Sequence, residues 1–98
     1  MRNHNYFVYI TTNPKKTVLY VGVTSDLSVR IQQHYENRGN KASFAGRYYC
    51  YNLKCYERFQ YINDAIAREK EIKKWRREKK ETLTNSMNPK WEFIDVRD

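Results

Sequence analysis

The sequence predicts a small α+β protein: a three-stranded antiparallel sheet flanked by helices, in the order β-β-α-β-α-α. Three observations predict it. Two runs rich in aromatic and β-branched residues, 6–12 and 17–23, are separated by a short turn signal. A third run, 48–59, alternates in the two-residue period of a strand. Segments with polar starts and helical apolar spacing lie between and after these runs. The 98 residues are expected to form one domain, since domains usually span about 50 to 250 residues.

In the first run both alternating faces are apolar, with Phe7 and Tyr9 on one and Tyr6, Val8 and Ile10 on the other. That suits a central strand covered on both sides. Asn13-Pro14-Lys15-Lys16 is a turn signal, because proline presets φ and asparagine favours turn conformations. The two runs should therefore pair as a hairpin. A turn centred between Pro14 and Lys15 sets Tyr9 directly opposite Tyr20, with Gly22 further along the same face. A glycine inside a strand marks close approach of another group. An aromatic cross-strand pair can equally be a simple sheet stabiliser.

Ser25 or Asp26 can cap a helix running to about residue 37. Leu27, Ile31 and His34 share one face of it, with Arg30 at the margin. Arg30 and His34 are one turn apart and can reach the same small region. Residues 38–47 read as a flexible basic loop ending in Arg47. In the third strand, Tyr49, Tyr51, Leu53 and Cys55 should share one face and Cys50, Asn52, Lys54 and Tyr56 the other. The two cysteines then point apart, as half-buried thiols rather than a disulfide or a metal site.

Asn63 or Asp64 can cap the next helix, whose apolar stripe is Ile62, Ala65, Ile66 and Ile72. Helical phase puts Glu69 near the middle of that stripe and Glu71 on the solvated side. A carboxylate on an apolar face needs compensation, by a metal ion or by a neighbouring Arg or Lys. From Arg68 to Lys80, eight basic residues face three acidic ones, with Trp75 among them. Lys70, Lys73, Lys74, Arg76 and Arg77, together with Arg47, are candidates to track a phosphate backbone. A helix should continue or restart over 77–87, until Pro89 stops it and Trp91 and Phe93 pack back on the core.

Nineteen Lys and Arg against eleven Asp and Glu give a formal charge of +8. That favours a polyanionic partner: nucleic acid first, an anionic membrane second. The membrane reading is the weaker, because Glu69, Lys73 and Arg76 interrupt the apolar face of the basic helix. No apolar run approaches the roughly 20 residues that cross a bilayer. Met1–Asn5 lacks the apolar core of a leader, so a cytoplasmic location is expected.

Several segments, in this order, carry a resemblance. They are Phe7-Val8-Tyr9, Tyr20-Val21-Gly22, Arg30 and His34 in LSVRIQQH, Glu69 in AIAREKEIKKW, and Asn88 in NPKW, with Asn85 the weaker alternative. Over about residues 6–93 the chain resembles the GIY-YIG endonuclease superfamily. It is most similar to the small stand-alone bacterial members and to the domain that makes one incision in nucleotide-excision repair. The first motif departs from the pattern, with Phe7 and Val8 where the family has glycine and isoleucine.

The resemblance implies metal-dependent hydrolysis of phosphodiester bonds in DNA, in repair or recombination. It implies Mg²⁺ or Mn²⁺ on Glu69, phosphate binding by Arg30, and Tyr9 as general base, helped by nearby cations. Tyr20 and His34 would orient water and phosphate or move protons, and Gly22 and Asn88 would support the site. A monomer or weak dimer is expected, with no known protein partner. The alternative is a nucleic-acid-binding module that keeps the fold without cutting.

Overall fold

The computed structural model describes residues 5–96, so Met1–His4, read above for a leader, lie outside the described residues. Strands β1 (Tyr6–Thr12), β2 (Leu19–Thr24) and β3 (Asn52–Phe59) form one antiparallel sheet in the order β2-β1-β3. The strand with two apolar faces is the central one. Val8 and Ile10 pack with Val21, Cys55, Ala65 and Ile72 on one face. Tyr9 packs with Leu27, Ile31 and Leu53 on the other. The helices are α1 (Leu27–Glu36), α2 (Phe44–Arg47), α3 (Ile62–Lys73) and α4 (Arg77–Met87). Helix α1 supplies Leu27 and Ile31 to the Tyr9 side, and α3 supplies Ala65 and Ile72 to the opposite side. Asp26 caps α1 by accepting from the Val29 amide at 3.1 Å. No helix among the described residues is long and apolar enough to cross a membrane.

The hairpin register differs from the expected one. Tyr9 faces Gly22, and Tyr20 faces Thr11. The cause is the Asn13 side chain, which accepts from the amides of Thr17 at 2.8 Å and Val18 at 3.0 Å. This holds 13–18 as a loop, with Lys16 at φ 59°, and delays β2 to Leu19. The offset is two residues, so Tyr9, Tyr20 and Gly22 keep their common face.

Strand β3 corrects the expected alternation. Ile10 pairs with Cys55 but Thr11 pairs with Leu53, which leaves Lys54 as a bulge. Leu53 and Cys55 therefore point to opposite cores instead of sharing a face. The buried Lys54 ammonium donates to the Trp91 carbonyl at 2.7 Å. Both cysteines are free and fully buried rather than half-buried.

Helix α3 starts at Ile62 after Tyr61, without the expected side-chain cap from Asn63 or Asp64. Ile62 is exposed, so the stripe narrows to Ala65 and Ile72 with partly buried Ile66. Phe93 is exposed and Trp91 only partly buried; Ile94 and Val96 pack on the Tyr9 core in their place.

The segment expected as a flexible loop instead contains α2, capped by Ser43, which accepts from the Gly46 amide at 3.1 Å. Gly39 donates to the Gly46 carbonyl and Cys50 to that of Ala45, both at 2.8 Å. A Cβ on Gly46 would lie 2.8 Å from the Asn37 carbonyl oxygen and closer still to that of Asn40. Backbone oxygens yield little, so Gly46→Ala should lower the melting temperature by roughly 5–15 °C in a thermal scan.

Candidate active site

The sheet centre places Tyr9 and the α1 face places Arg30 and His34, and the three meet. The Tyr9 hydroxyl lies 2.8 Å from His34 Nε2, and Arg30 Nε donates to the same hydroxyl at 3.3 Å. Arg30 can only donate, so the Tyr9 oxygen accepts there and its own hydrogen is free to point at His34 Nε2. A neutral imidazole can accept it.

His34 is neutral for a physical reason. Burial, helped by the nearby Arg30 charge, lowers its pKa from 6.5 to about 4. Burial also pushes the Tyr9 phenol from 10.0 up to about 12; the hydrogen bond from Arg30 works in the other direction and loses. Of the cations expected to help Tyr9, Arg30 lowers its pKa, but desolvation of the phenolate outweighs that contribution. For Arg30, burial opposes the charge, but the Tyr9 and then Tyr20 hydroxyls outweigh it, and the net shift is upward.

The His34 shift predicts a pH dependence of stability. Between pH 6.5 and about 4 the unfolded chain binds a proton that the folded chain refuses. Its contribution is fully present above pH 6.5 and is lost as pH falls towards 4, to a limit of about 3 kcal/mol. Urea unfolding at pH 7 and pH 5 should show lower stability at pH 5, with a smaller difference in His34→Gln.

Tyr20 joins the group through its ring, 5.3 Å from His34 and 6.3 Å from Tyr9 between centroids. Gly22 makes the room. It is not in a left-handed conformation, and a Cβ there would overlap the Tyr9 hydroxyl and touch the Tyr20 ring at 3.0 Å. Glu69 comes from α3 on the far face. Its side chain is 16 % exposed and lies 3.3 Å from Lys73 Nζ. Lys73 in turn stands over the Tyr20 ring at 5.9 Å. The Glu69 charge reaches Tyr9 and adds to its upward shift. So Tyr9, Arg30 and His34 are in direct contact, Tyr20 is packed on them, and Glu69 lies within electrostatic range.

Other expected residues sit elsewhere. Asn88 donates to the carbonyls of Lys54 at 2.9 Å and Glu92 at 2.7 Å, tying the C-terminal segment to β3 rather than bonding to the five. Asn85 accepts from the Trp91 indole. Arg77 donates to the carbonyls of Thr17 and Lys16 and so clamps α4 to the β1–β2 loop. Lys70, Lys73, Lys74, Arg76 and Arg47 are exposed. Glu71 is on the solvated face as expected, and there it is bonded to Arg68, which also grips Glu57.

Among the described residues no cluster of three or more His, Cys, Asp or Glu could hold a metal. The donor set is one carboxylate, which suits a hard ion that keeps most of its water, such as Mg²⁺ or Mn²⁺. It does not suit Zn²⁺, which takes three or four protein ligands.

The family model described as the GIY-YIG catalytic domain matches residues 5–82. This chain belongs to the GIY-YIG family. It is 35% identical over 81 residues to a UPF0213 protein of Haloquadratum walsbyi, covering 83% of this chain and 88% of that protein. A UPF0213 protein of Bacillus pumilus is 31% identical over 87 residues, covering 89% and 86%. The solution NMR structure of a UPF0213 protein from Bacillus halodurans superposes with a TM-score of 0.56 at 31% identity, covering 90% of each chain. Within the GIY-YIG match, Tyr9, Tyr20, Arg30, His34 and Glu69 all fall inside 5–82, and Asn88 falls outside. Sequence reasoning offered a neighbouring Arg or Lys as one compensation for Glu69, and Lys73 is that neighbour; it did not single out Lys73, although the i, i+4 spacing carries that signal. It also missed the aromatic surface of α2, for which the loop-like composition gave no sign.

Proposed function

We propose that this GIY-YIG protein is a divalent-metal-dependent endonuclease that hydrolyses phosphodiester bonds in DNA, as one catalytic unit, in repair or recombination. The observation that carries the reading is the Arg30–Tyr9–His34 hydrogen-bonded chain within electrostatic range of Glu69. Tyr9 is only 1% exposed, and Arg30 bonds to its hydroxyl. A substrate phosphate first engages the Arg30 guanidinium, whose planar fork suits phosphate oxygens. That contact has to open before water reaches Tyr9.

Water then attacks phosphorus, its oxygen forms the new P–O bond and the bond to the leaving oxygen breaks. The water proton passes to the Tyr9 oxygen as the Tyr9 proton passes to His34 Nε2. The imidazole accepts it only with substrate in place, where the phosphate's negative charge offsets the Arg30 charge that disfavours the imidazolium. The leaving oxygen takes a proton from solvent, and His34 then gives its own back to solvent. The phenol thus works as a relay and never has to exist as a free phenolate at neutral pH. Tyr20 holds the imidazole edge in place. Mg²⁺ or Mn²⁺ bound at Glu69 would supply the positive charge that the phosphate and leaving oxygen require.

The near-complete burial of Tyr9 favours a second reading, a nucleic-acid-binding module that does not cut. Incubation with branched, flapped and single-stranded DNA, with and without Mg²⁺ or Mn²⁺, separates the two. Metal-dependent strand cleavage is the expected result. Binding without cleavage of any substrate would establish the module instead.

A further inference from the structure

The aromatic group of the site does not stop at Tyr20. The Phe44 ring on α2 lies 6.3 Å from that of Tyr20 and is nearly parallel to it, at 25°. The Tyr48 ring follows, 4.8 Å from Phe44. A file of rings therefore runs from buried Tyr9 and His34 through Tyr20 out to the surface. There Phe44 is 52% and Tyr48 42% exposed. Leu19, Phe44, Tyr48, Arg77 and Lys80 line a surface hollow of about 360 Å³.

Single exposed aromatics are ordinary, but this pair is contiguous with the candidate site and rimmed by cations. Arg77 is fixed by its two carbonyl contacts, Lys80 lies on the same wall, and Lys73 stands over Tyr20. The helix that carries the rings is tied down at both ends. Ser43 caps α2, and the Gly39 and Cys50 amides pin its far end. A rigid apolar face bordered by positive charge fits a ligand that is flat and aromatic on one part and anionic on the next. A nucleotide whose base is out of the stack has that chemistry; a continuous duplex hides its base faces.

We infer that Phe44 and Tyr48 form a stacking subsite for an unpaired nucleobase next to the phosphate that Arg30 receives. The inference rests on the proposed nuclease reading and narrows it to strands with unpaired bases at the cut. The base is the shared chemistry of DNA and RNA, so both belong in the test.

The test is metal-free binding of oligonucleotides carrying one 2-aminopurine, deoxy and ribo, single-stranded and as duplex. Wild type should alter the 2-aminopurine fluorescence of the single strands. The double variant Phe44→Ala/Tyr48→Ala should bind them about 5- to 100-fold more weakly, with duplex affinity unchanged. Phe44→Trp should restore stacking, and circular dichroism should show that every variant is folded. A response with either sugar supports the subsite, and the two arms tell which strand it accepts.

Equal losses on single strand and duplex, or no loss on either, overturn it. So does concentration-dependent self-association, seen in sedimentation, that vanishes with Phe44→Ser. Because no metal is present, this result is independent of cutting. A protein that cleaves but does not stack loses only the subsite, and one that stacks but never cleaves loses only the nuclease reading.

Discussion

Glu69→Gln should abolish metal-dependent cleavage, by about 10³-fold or more, while the protein stays folded. The substitution keeps shape and removes only the negative charge. Its stability cost is small, because the Glu69–Lys73 pair is an i, i+4 contact at 3.3 Å whose lysine is about half exposed. Such pairs contribute about 0.3–0.5 kcal/mol. The catalytic cost is large, because in the proposed site Glu69 is the one carboxylate that holds the cation, and among the described residues no group of three or more His, Cys, Asp or Glu forms an alternative metal site. If Glu69 were only an ion-pair partner for Lys73, the variant would melt slightly earlier and cut normally. Cleavage in Mg²⁺ and Mn²⁺ measured beside a melting curve separates these outcomes. Robust metal-dependent cutting that survives Glu69→Gln, or the companion Arg30→Ala, would sink the proposed site.

The second large effect is expected from one methyl group. Gly22→Ala places a Cβ onto the Tyr9 hydroxyl and its ring carbon, with the Tyr20 ring 3.0 Å away. Tyr9 is walled in by Leu27, Ile31 and Leu53, so its ring has little room to retreat. Its hydroxyl must then leave His34 or Arg30. Overpacking of this kind costs about 1–3 kcal/mol of stability. Misplacing a catalytic group by about an ångström costs about 10² in rate. The route through Tyr9 can be isolated. If Gly22→Ala acts by displacing the hydroxyl, then adding it to Tyr9→Phe should slow cleavage no further. Full activity in Gly22→Ala, or losses that multiply in the double variant, would show that Gly22 does not act through Tyr9.

Much of this layout was legible in the sequence, and the failures have common causes. Periodicity placed β1 in the centre and put Leu27, Ile31 and His34 on the buried face of α1. It also singled out Glu69 from Glu71 and gave α4 its extent. Those features depend on spacing alone. The hairpin register depended on a side chain, Asn13, bonding back to the main chain, which composition does not reveal. The face of Leu53 depended on a single bulged residue, and one such residue inverts every alternation before it. Helix α2 was hidden because Ser43, Gly46 and the basic residues around them read as loop. The upward shift of Tyr9 was not legible, because sequence shows which charges are near but not how much water is left. The family motifs named the residues of the candidate site; only the fold could show that Tyr9 is buried and bonded to Arg30.

The bulge at Lys54 has a bearing on how the β3 margin of the sheet is covered. An edge strand offers unpaired main-chain groups to any other chain that comes by. At the bulge, the C-terminal segment intercepts them: Ile94 donates to the Leu53 carbonyl at 3.0 Å and Asn88 to that of Lys54. The same segment supplies the Trp91 carbonyl that accepts from the buried Lys54 ammonium. Drawing residues 88–96 away would therefore create two faults together, a sticky sheet margin and a stranded interior cation. The C-terminal coil thus covers the bulged end of β3 as a further strand would, with two hydrogen bonds to its main chain and one from its buried cation.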